Sequence, residues 1–442
     1  MICWRYIVGM SKSHGAQRGQ ARTKRPQRDQ VEMQLLSLDQ WLDADHRVRI
    51  VWQYVDSLDL SELYDSIQAV EGGVGRDAID PRILFALWLF ATLEGVASAR
   101  RIDELTRRDI PYMWICGGVS VNYHRLSDFR VAHGDLLERL LIDSIAVLVR
   151  HDLITLATVG QDGMRVRASA GGGSFRRQSS LAEARRKAQA HVDQLNQPHD
   201  DPSANSRRRE AAQKRAASEK LARIEQAQAE MEDMQRKYRR RSATKRSEPR
   251  ASTTDPEARR AKMADGGIRP AMNVQFASDG DAQMIVAVTV TSQCSDSGLM
   301  GPMYEKIQRD YSQAPGQWLV DGGFTHRGDV TKLEADGVQV YAPLYREQKQ
   351  LDEGQDPYVG KLGDSTEMAD FRARMGTPQA KEIYRRRAAI AEFPNADCRN
   401  RGLMQFRVRG LVKAKAQTLW HVLAFNFSRM RRLNYLEVAM AG

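Results

Sequence analysis

The segments TVGQDGMRVRAS (residues 158–169), NVQFASDGDAQMIVAVTVTSQ (273–293) and QWLVDGG (317–323) decide the fold. Each is rich in apolar and β-branched residues over a strand's length, as a buried or half-buried sheet member requires. Asp279-Gly280 between two such runs predicts a hairpin. A helix is expected at GPMYEKIQRDY (301–311), then the strand QWLVDGG, a helix at RGDVTKLEADG (327–337) and the strand VQVYAPL (338–344). The order is three strands, helix, strand, helix, strand, helix, which makes an α/β mixed sheet with helical covers.

Outward from this core, residues 31–150 read as a helical domain. DPRILFALWLFATLEG offers Asp80 as N-cap, Pro81 in the first turn and Gly95 as a stop. Ser98 opens SARRIDELTRRD, and a break at Gly117-Gly118 precedes VNYHRLSDFRVAHGDLLERLLIDSIAVLVR. Short helices separated by tight breaks, one carrying His124, Arg125 and Arg130, fit a helix-turn-helix-like module with a polar face for the major groove. A plain helical bundle with a solvated basic face is the alternative.

After the strand at 158–169 and the small residues 170–174, residues 175–263 turn to Arg, Lys, Ala, Gln and Glu. Leu221, Ile224, Met231 and Met234 form a partial stripe, read as an exposed helix or short coiled coil. The composition is linker-like at 198–206 and 247–256. This stretch reads as an insertion within a domain spanning 151–442. Residues 344–364 read as a loop, and the last hundred as helical and Arg-rich.

A chain of 442 residues exceeds one ordinary core. Its net charge of +11 and pI near 9.5 point to a polyanionic partner. Cys3, Cys116, Cys294 and Cys398 show neither CxxC pairing nor matching His spacing, which argues against a zinc site or disulfide framework and for a reducing cytoplasm. No run approaches a membrane span, and residues 1–30 read as a disordered basic leader.

Three acids far apart in sequence stand in contexts suited to holding a carboxylate still. Asp321 lies where the apolar run WLV stops, at the carboxyl end of a strand where open α/β sheets place their sites, and Gly322-Gly323 permits close backbone approach. Read alone, Asp-Gly there is a turn. Asp162 lies inside a strand, where it needs a partner or a metal unless it faces water at an edge. Glu392 follows Tyr384, Arg385, Arg386 and Arg387 on a helical run that Pro394 must bend or end. The arginines are either surface ion-pair partners of Glu392 or holders of DNA phosphates beside it. Two acids on strands and one on a helix suit a Mg²⁺-dependent nuclease or strand transferase.

On these residues the chain resembles a bacterial insertion-sequence transposase of the DDE type. DHRVRIVWQYVDSLDLSELY, IDPRILFALWLFATLEGVASARRIDEL and YHRLSDFR are similar to the family's N-terminal helical DNA-binding region. Tyr384, Arg387 and Glu392 match the family's Tyr-Arg-Glu signature, and RGLVKAKAQTLWHVLAFNFSRM its C-terminal helix with Asn426. Arg399 stands where a Lys is common, and Met164 where a Thr is. The resemblance implies an RNase H-like catalytic domain with Asp162, Asp321 and Glu392 as catalytic and metal-holding acids. It implies Mg²⁺, replaceable by Mn²⁺, and DNA as partner, both element ends and target. Tyr384, Arg387, Arg399, Arg407 and Arg409 would position phosphates. A homodimer or larger assembly in the bacterial cytoplasm is expected, as is hydrolysis exposing a 3′-hydroxyl followed by strand transfer. The competing reading is a repurposed DNA-binding protein without catalysis.

Overall fold

Several helix starts are fixed by local side-chain caps. The computed structural model describes residues 33, 35–69, 77–197, 204–239 and 248–441, so the 1–30 leader lies outside the described residues. The first helices are α1 (Arg47–Ser57), α2 (Ser61–Asp65) and α3 (Pro81–Leu93). Asp80 caps α3 by accepting from the Arg82 amide at 2.8 Å, and Gly95, at φ +73°, ends that turn in a left-handed conformation. Next come α4 (Ala99–Leu105), α5 (Ile110–Cys116), α6 (Tyr123–Ala132) and α7 (Gly134–Arg150). Ser98 caps α4, Asn122 caps α6, and Gly117 closes α5 in the left-handed region.

β1 (Thr158–Arg167) starts the sheet. The small strands β2 (Phe175–Arg176) and β3 (Ala251–Ser252) then pair with each other and bracket α8 (Gln178–Leu195) and α9 (Ala204–Arg239). The stripe expected to be exposed is instead the inner face of this hairpin. Ile224, Met231 and Met234 are buried with Leu181, Ala188 and Ala251, and Leu221 packs beside them. The 247–256 region is also no linker from residue 251 on, because Ala251, Ser252 and Asp255 are fully buried.

β4 (Arg259–Lys262), β5 (Ile268–Asp279) and β6 (Ile285–Thr291) follow, so residues 259–262 belong to the main sheet rather than to the insertion. β4 and β6 share one side of β5, at its start and its end, and β1 takes the other. The hairpin at Asp279 forms as expected, but its left-handed residue is Gln283. Gly280 serves a different need: its amide donates to the Thr158 carbonyl at 2.7 Å, and a Cβ there would meet Thr158 Cβ at 2.8 Å.

The remaining elements are α10 (Met300–Tyr311), β7 (Gln317–Leu319), α11 (Arg327–Ala335), β8 (Gln339–Tyr341), α12 (Glu347–Asp352), α13 (Thr366–Met375), α14 (Pro378–Arg385), a π-helical turn (Ala388–Glu392), α15 (Phe393–Asn400), α16 (Leu411–Leu433) and α17 (Leu436–Ala441). β7 and β8 extend the sheet in parallel from β1. The result is an α/β mixed sheet, antiparallel across β6, β5 and β1 and parallel across β1, β7 and β8, preceded by a helical region.

One hydrophobic core runs from Leu42 to Leu436 and joins the N-terminal helices to the sheet. α16 is its axis. Phe85 and Trp420 meet edge to face at 4.8 Å, and Trp420 Nε1 donates to the Arg130 carbonyl at 3.1 Å. Asn426 uses both ends of its amide on one strand residue, accepting from the Ile285 N–H at 2.9 Å and donating to the Ile285 carbonyl at 2.7 Å. A side chain thus satisfies both backbone groups of the first residue of β6. Among the described residues no helix is long and apolar enough to cross a membrane.

Candidate active site

Register brings the two aspartates together. β1 and β7 run parallel with Gly160 opposite Leu319. Asp162 and Asp321 each lie two residues further on, Asp162 still within β1 and Asp321 just past the end of β7, so the extended side-chain period of two places them at matching positions. Asp321 begins a tight 3-10 turn, and its Oδ1 accepts from the Gly323 amide at 2.6 Å. The sequence offered turn or site at this position; the residue is at once the turn's cap and the neighbour of Asp162.

The segment carrying Glu392 crosses the same sheet over Gly160. A Cβ at Gly160 would lie 2.7 Å from Ile390 Cγ2 and 3.2 Å from Ala391 Cβ, so only glycine admits this approach. Ile390 and Ala391 are buried, whereas Glu392 is exposed. Pro394 does not end the helix at this point. It sits in the first turn of α15, and the backbone before it widens into a π turn ending at Glu392. Proline has no N–H for the carbonyl one turn earlier, and a π turn accommodates that loss.

Asn395, one turn past Glu392 and 1% exposed, donates from Nδ2 to Asp162 Oδ2 at 2.8 Å. Burial pushes the Asp162 carboxyl up to about 6; the Gly163 amide, Asn395 and Arg387 pull against this, and Asp321 adds to it. Arg387 ion-pairs with Glu392 and lies over the Tyr384 ring at 5.8 Å. Burial acts to lower its pKa, but Tyr384, Glu392, Asp162 and Asp321 together outweigh burial and raise it. Burial likewise raises the Tyr384 phenol. One guanidinium therefore senses all three acids.

A hard divalent cation suits this donor set, because the acids offer carboxylate oxygens and the two half-buried, register-matched aspartates share one nearby guanidinium with Glu392. The three acids were expected to share ions. Among the described residues, no three His, Cys, Asp or Glu side chains are gathered closely enough for one ion, and Glu392 is held by Arg387 instead. Asp162 and Asp321 fit as a pair.

The expected DNA contacts divide. His124 and Arg125 are exposed on α6. Arg130 does not suit a groove-reading role: it is 7% exposed, donates to the Ala97 carbonyl at 3.2 Å and stacks over Trp88 at 5.1 Å. Burial pulls its guanidinium down to about 10. Arg399, Arg407 and Arg409 are exposed, and Arg409 Nε donates to the Ser169 carbonyl at 3.3 Å. Asn426, matched to the family's C-terminal helix, clamps β6 away from the acids. Sequence reading missed Gly160 and Asn395. Only the Gly within an otherwise β-branched start of β1 signalled a close approach.

Two family models match the chain, a transposase domain (DUF772) over residues 36–132 and a transposase DDE domain over 364–431. The first covers the helical region through α6, and the second takes in Tyr384, Arg387, Glu392 and Asn426. Both models describe transposase domains, and together they support an insertion-sequence transposase of the DDE type. No curated protein and no solved structure matches the chain.

Proposed function

We propose that the protein binds the ends of an insertion sequence, cleaves a DNA strand there and joins the exposed 3′-hydroxyl to target DNA. The observation that carries this reading is the register match of Asp162 and Asp321 beneath Arg387, with Glu392 brought over Gly160. The strand order β6-β5-β1-β7-β8 supports an RNase H-like catalytic domain over 151–442. The helical region 31–150 would bind DNA, with His124 and Arg125 outermost. The hairpin within 175–263 would serve assembly of two protomers, since two element ends must meet.

Asp162 and Asp321 would hold Mg²⁺ or Mn²⁺, with Glu392 completing the set. The ion, when bound, supplies Lewis-acid stabilisation of charge on the phosphoryl oxygens. Arg387 and Tyr384 orient the scissile phosphate, and a phosphate there offers Arg387 an alternative to Glu392. Asn395 fixes the Asp162 carboxyl. The acids enter no covalent intermediate, so water and then the 3′-hydroxyl are the attacking groups.

A second reading, a DNA-binding protein that no longer cuts, draws support from the Arg387–Glu392 pair. The two separate in a cleavage assay on a labelled duplex carrying the DNA that flanks the gene, with Mg²⁺, beside Asp321→Asn. Cleavage at the element ends that disappears in the variant supports the enzyme. Tight binding with no cut from either protein overturns it.

A further inference from the structure

A second feature lies on the far half of β1, beyond the acid site, which it meets at Gly163. A cleft of about 830 Å³ opens between β1, the edge strand β4 with its turn into β5, and the loop after α15. Six cations line it: Arg165, Arg167, Arg260, Lys262, Arg269 and Arg399. Arg269 is paired with Asp265 and Arg165 with Asp296. Arg167, Arg260, Lys262 and Arg399 are exposed and have no carboxylate partner among the described residues. Four uncompensated cations around one concavity are costly in self-repulsion unless a polyanion joins them.

Apart from Asp265, already paired with Arg269, the rest of the lining is small or apolar: Met164 and Leu403 are buried, while Met404 is 59% exposed. Thioethers offer polarizable surface to aromatic faces. The cleft therefore presents phosphate-binding cations around a floor suited to unpaired bases. Its volume falls in the range of about 300–1,000 Å³ that encloses small ligands. That admits a few nucleotides, whereas a duplex presents grooves of which the major alone is about 12 Å wide.

Its position relates it to the acids. Arg165 is three residues beyond Asp162 on β1, about 10 Å of strand. Arg399 is seven residues beyond Glu392 along α15, about 10 Å of helix. Resting on the catalytic reading above, we propose that this cleft holds an unpaired stretch of DNA, a few nucleotides from the phosphate at the acids. Backbone phosphates meet Arg167, Arg260, Lys262 and Arg399, and a base covers Met404.

The test uses full-length protein carrying Asp321→Asn, in chelator, so that no cutting interferes. Fluorescence anisotropy compares a labelled single-stranded 12-mer with a blunt duplex of the same sequence, for the parent and for Arg260→Glu/Lys262→Glu. Affinity for the single strand falls about tenfold or more, and its salt slope shrinks by about 1.4, two phosphates at roughly 0.7 each. Duplex affinity moves less than twofold. Equal losses on both ligands overturn the proposal, since the cleft is then part of a general duplex track. If the double Glu variant melts early, Arg260→Ala/Lys262→Ala decides: unchanged single-strand binding overturns the proposal, and a selective loss supports it. Failure of the catalytic reading shows separately, as uncut duplex with the unsubstituted protein in Mg²⁺.

Discussion

At residues 159–160, β1 is paired on both sides, to β5 and β7, whereas from 161 to 166 β5 is its one strand neighbour. The first half is roofed by the π turn, which rests on Gly160, and leads into Asp162, which is held by Asn395. The second half borders the cleft and is rejoined only at Arg167, whose amide donates to the Met404 carbonyl at 3.1 Å. A single strand thus combines a tightly determined end, where small displacements matter, with an open end that leaves cations unpaired. Packing specifies the position of the acids; the lack of packing leaves room for a ligand.

Gly160→Val attacks the roofed half. The new side chain collides with buried Ile390 and displaces the turn that carries Glu392, and shifts near 1 Å at a reacting centre cost about 100-fold in rate. A cleavage assay reads this, with Gly160→Ala expected to lose less; full activity of the valine variant would sink the argument that this contact places Glu392. Overpacking also destabilises the fold by about 1–3 kcal/mol.

Asp162→Asn sharpens the contrast through stability. The folded carboxyl titrates near 6, against an ordinary value of 3.8. Because its pKa is raised on folding, its favourable contribution is complete at low pH and is lost as pH rises from about 4 through 6. The metal-free Asn variant is therefore expected to be about 1–3 kcal/mol more stable than the parent at pH 7 and no more stable near pH 4. Urea unfolding at both pH values checks this, and equal stability at pH 7 contradicts the burial argument.

The same distinction between packed and open cations applies in α6. Arg130→Ala removes a buried hydrogen bond and a stacking contact with Trp88, at a cost of about 1–3 kcal/mol in unfolding experiments. Arg125→Ala leaves stability within about 0.5 kcal/mol and lowers the salt slope of duplex binding by about 1. An Arg130 variant of unchanged stability that binds DNA poorly would reverse these roles. Smallest of all, Arg167→Ala in the open half of β1 is expected to shift the melting midpoint negligibly.

What was legible in the sequence follows from range. Asp80, Ser98 and Gly117 act on neighbours within a few residues, so the helix limits they set could be read directly. The apolar runs at 158–169, 273–291 and 317–319 identified the sheet because burial on both faces demands such residues. β4, with the sequence RRAK, was hidden because an edge strand tolerates charge on its open side. The α8–α9 hairpin was hidden because its buried face is partly alanine, which looks the same on an exposed helix. At the site, the acids could be singled out by local context, but Asn395 and Gly160 act through contacts between segments more than 200 residues apart. Arg130 was misjudged because an arginine under a tryptophan has the same letter as one in solvent.

The amide of Asn426 closing the edge of β6 has a consequence for how the chain is made. α16 fills the space between helices and strands that all emerge from the ribosome before it, and chains fold largely in the order of their synthesis. Until residues near 426 appear, the backbone of Ile285 lacks the amide that satisfies it, α3 and α7 lack the surface they bury, and the platform under the acids is incomplete. Chains that stop short of α16 would therefore lack a settled core, and the ground on which the three acids stand would be finished only near the end of translation.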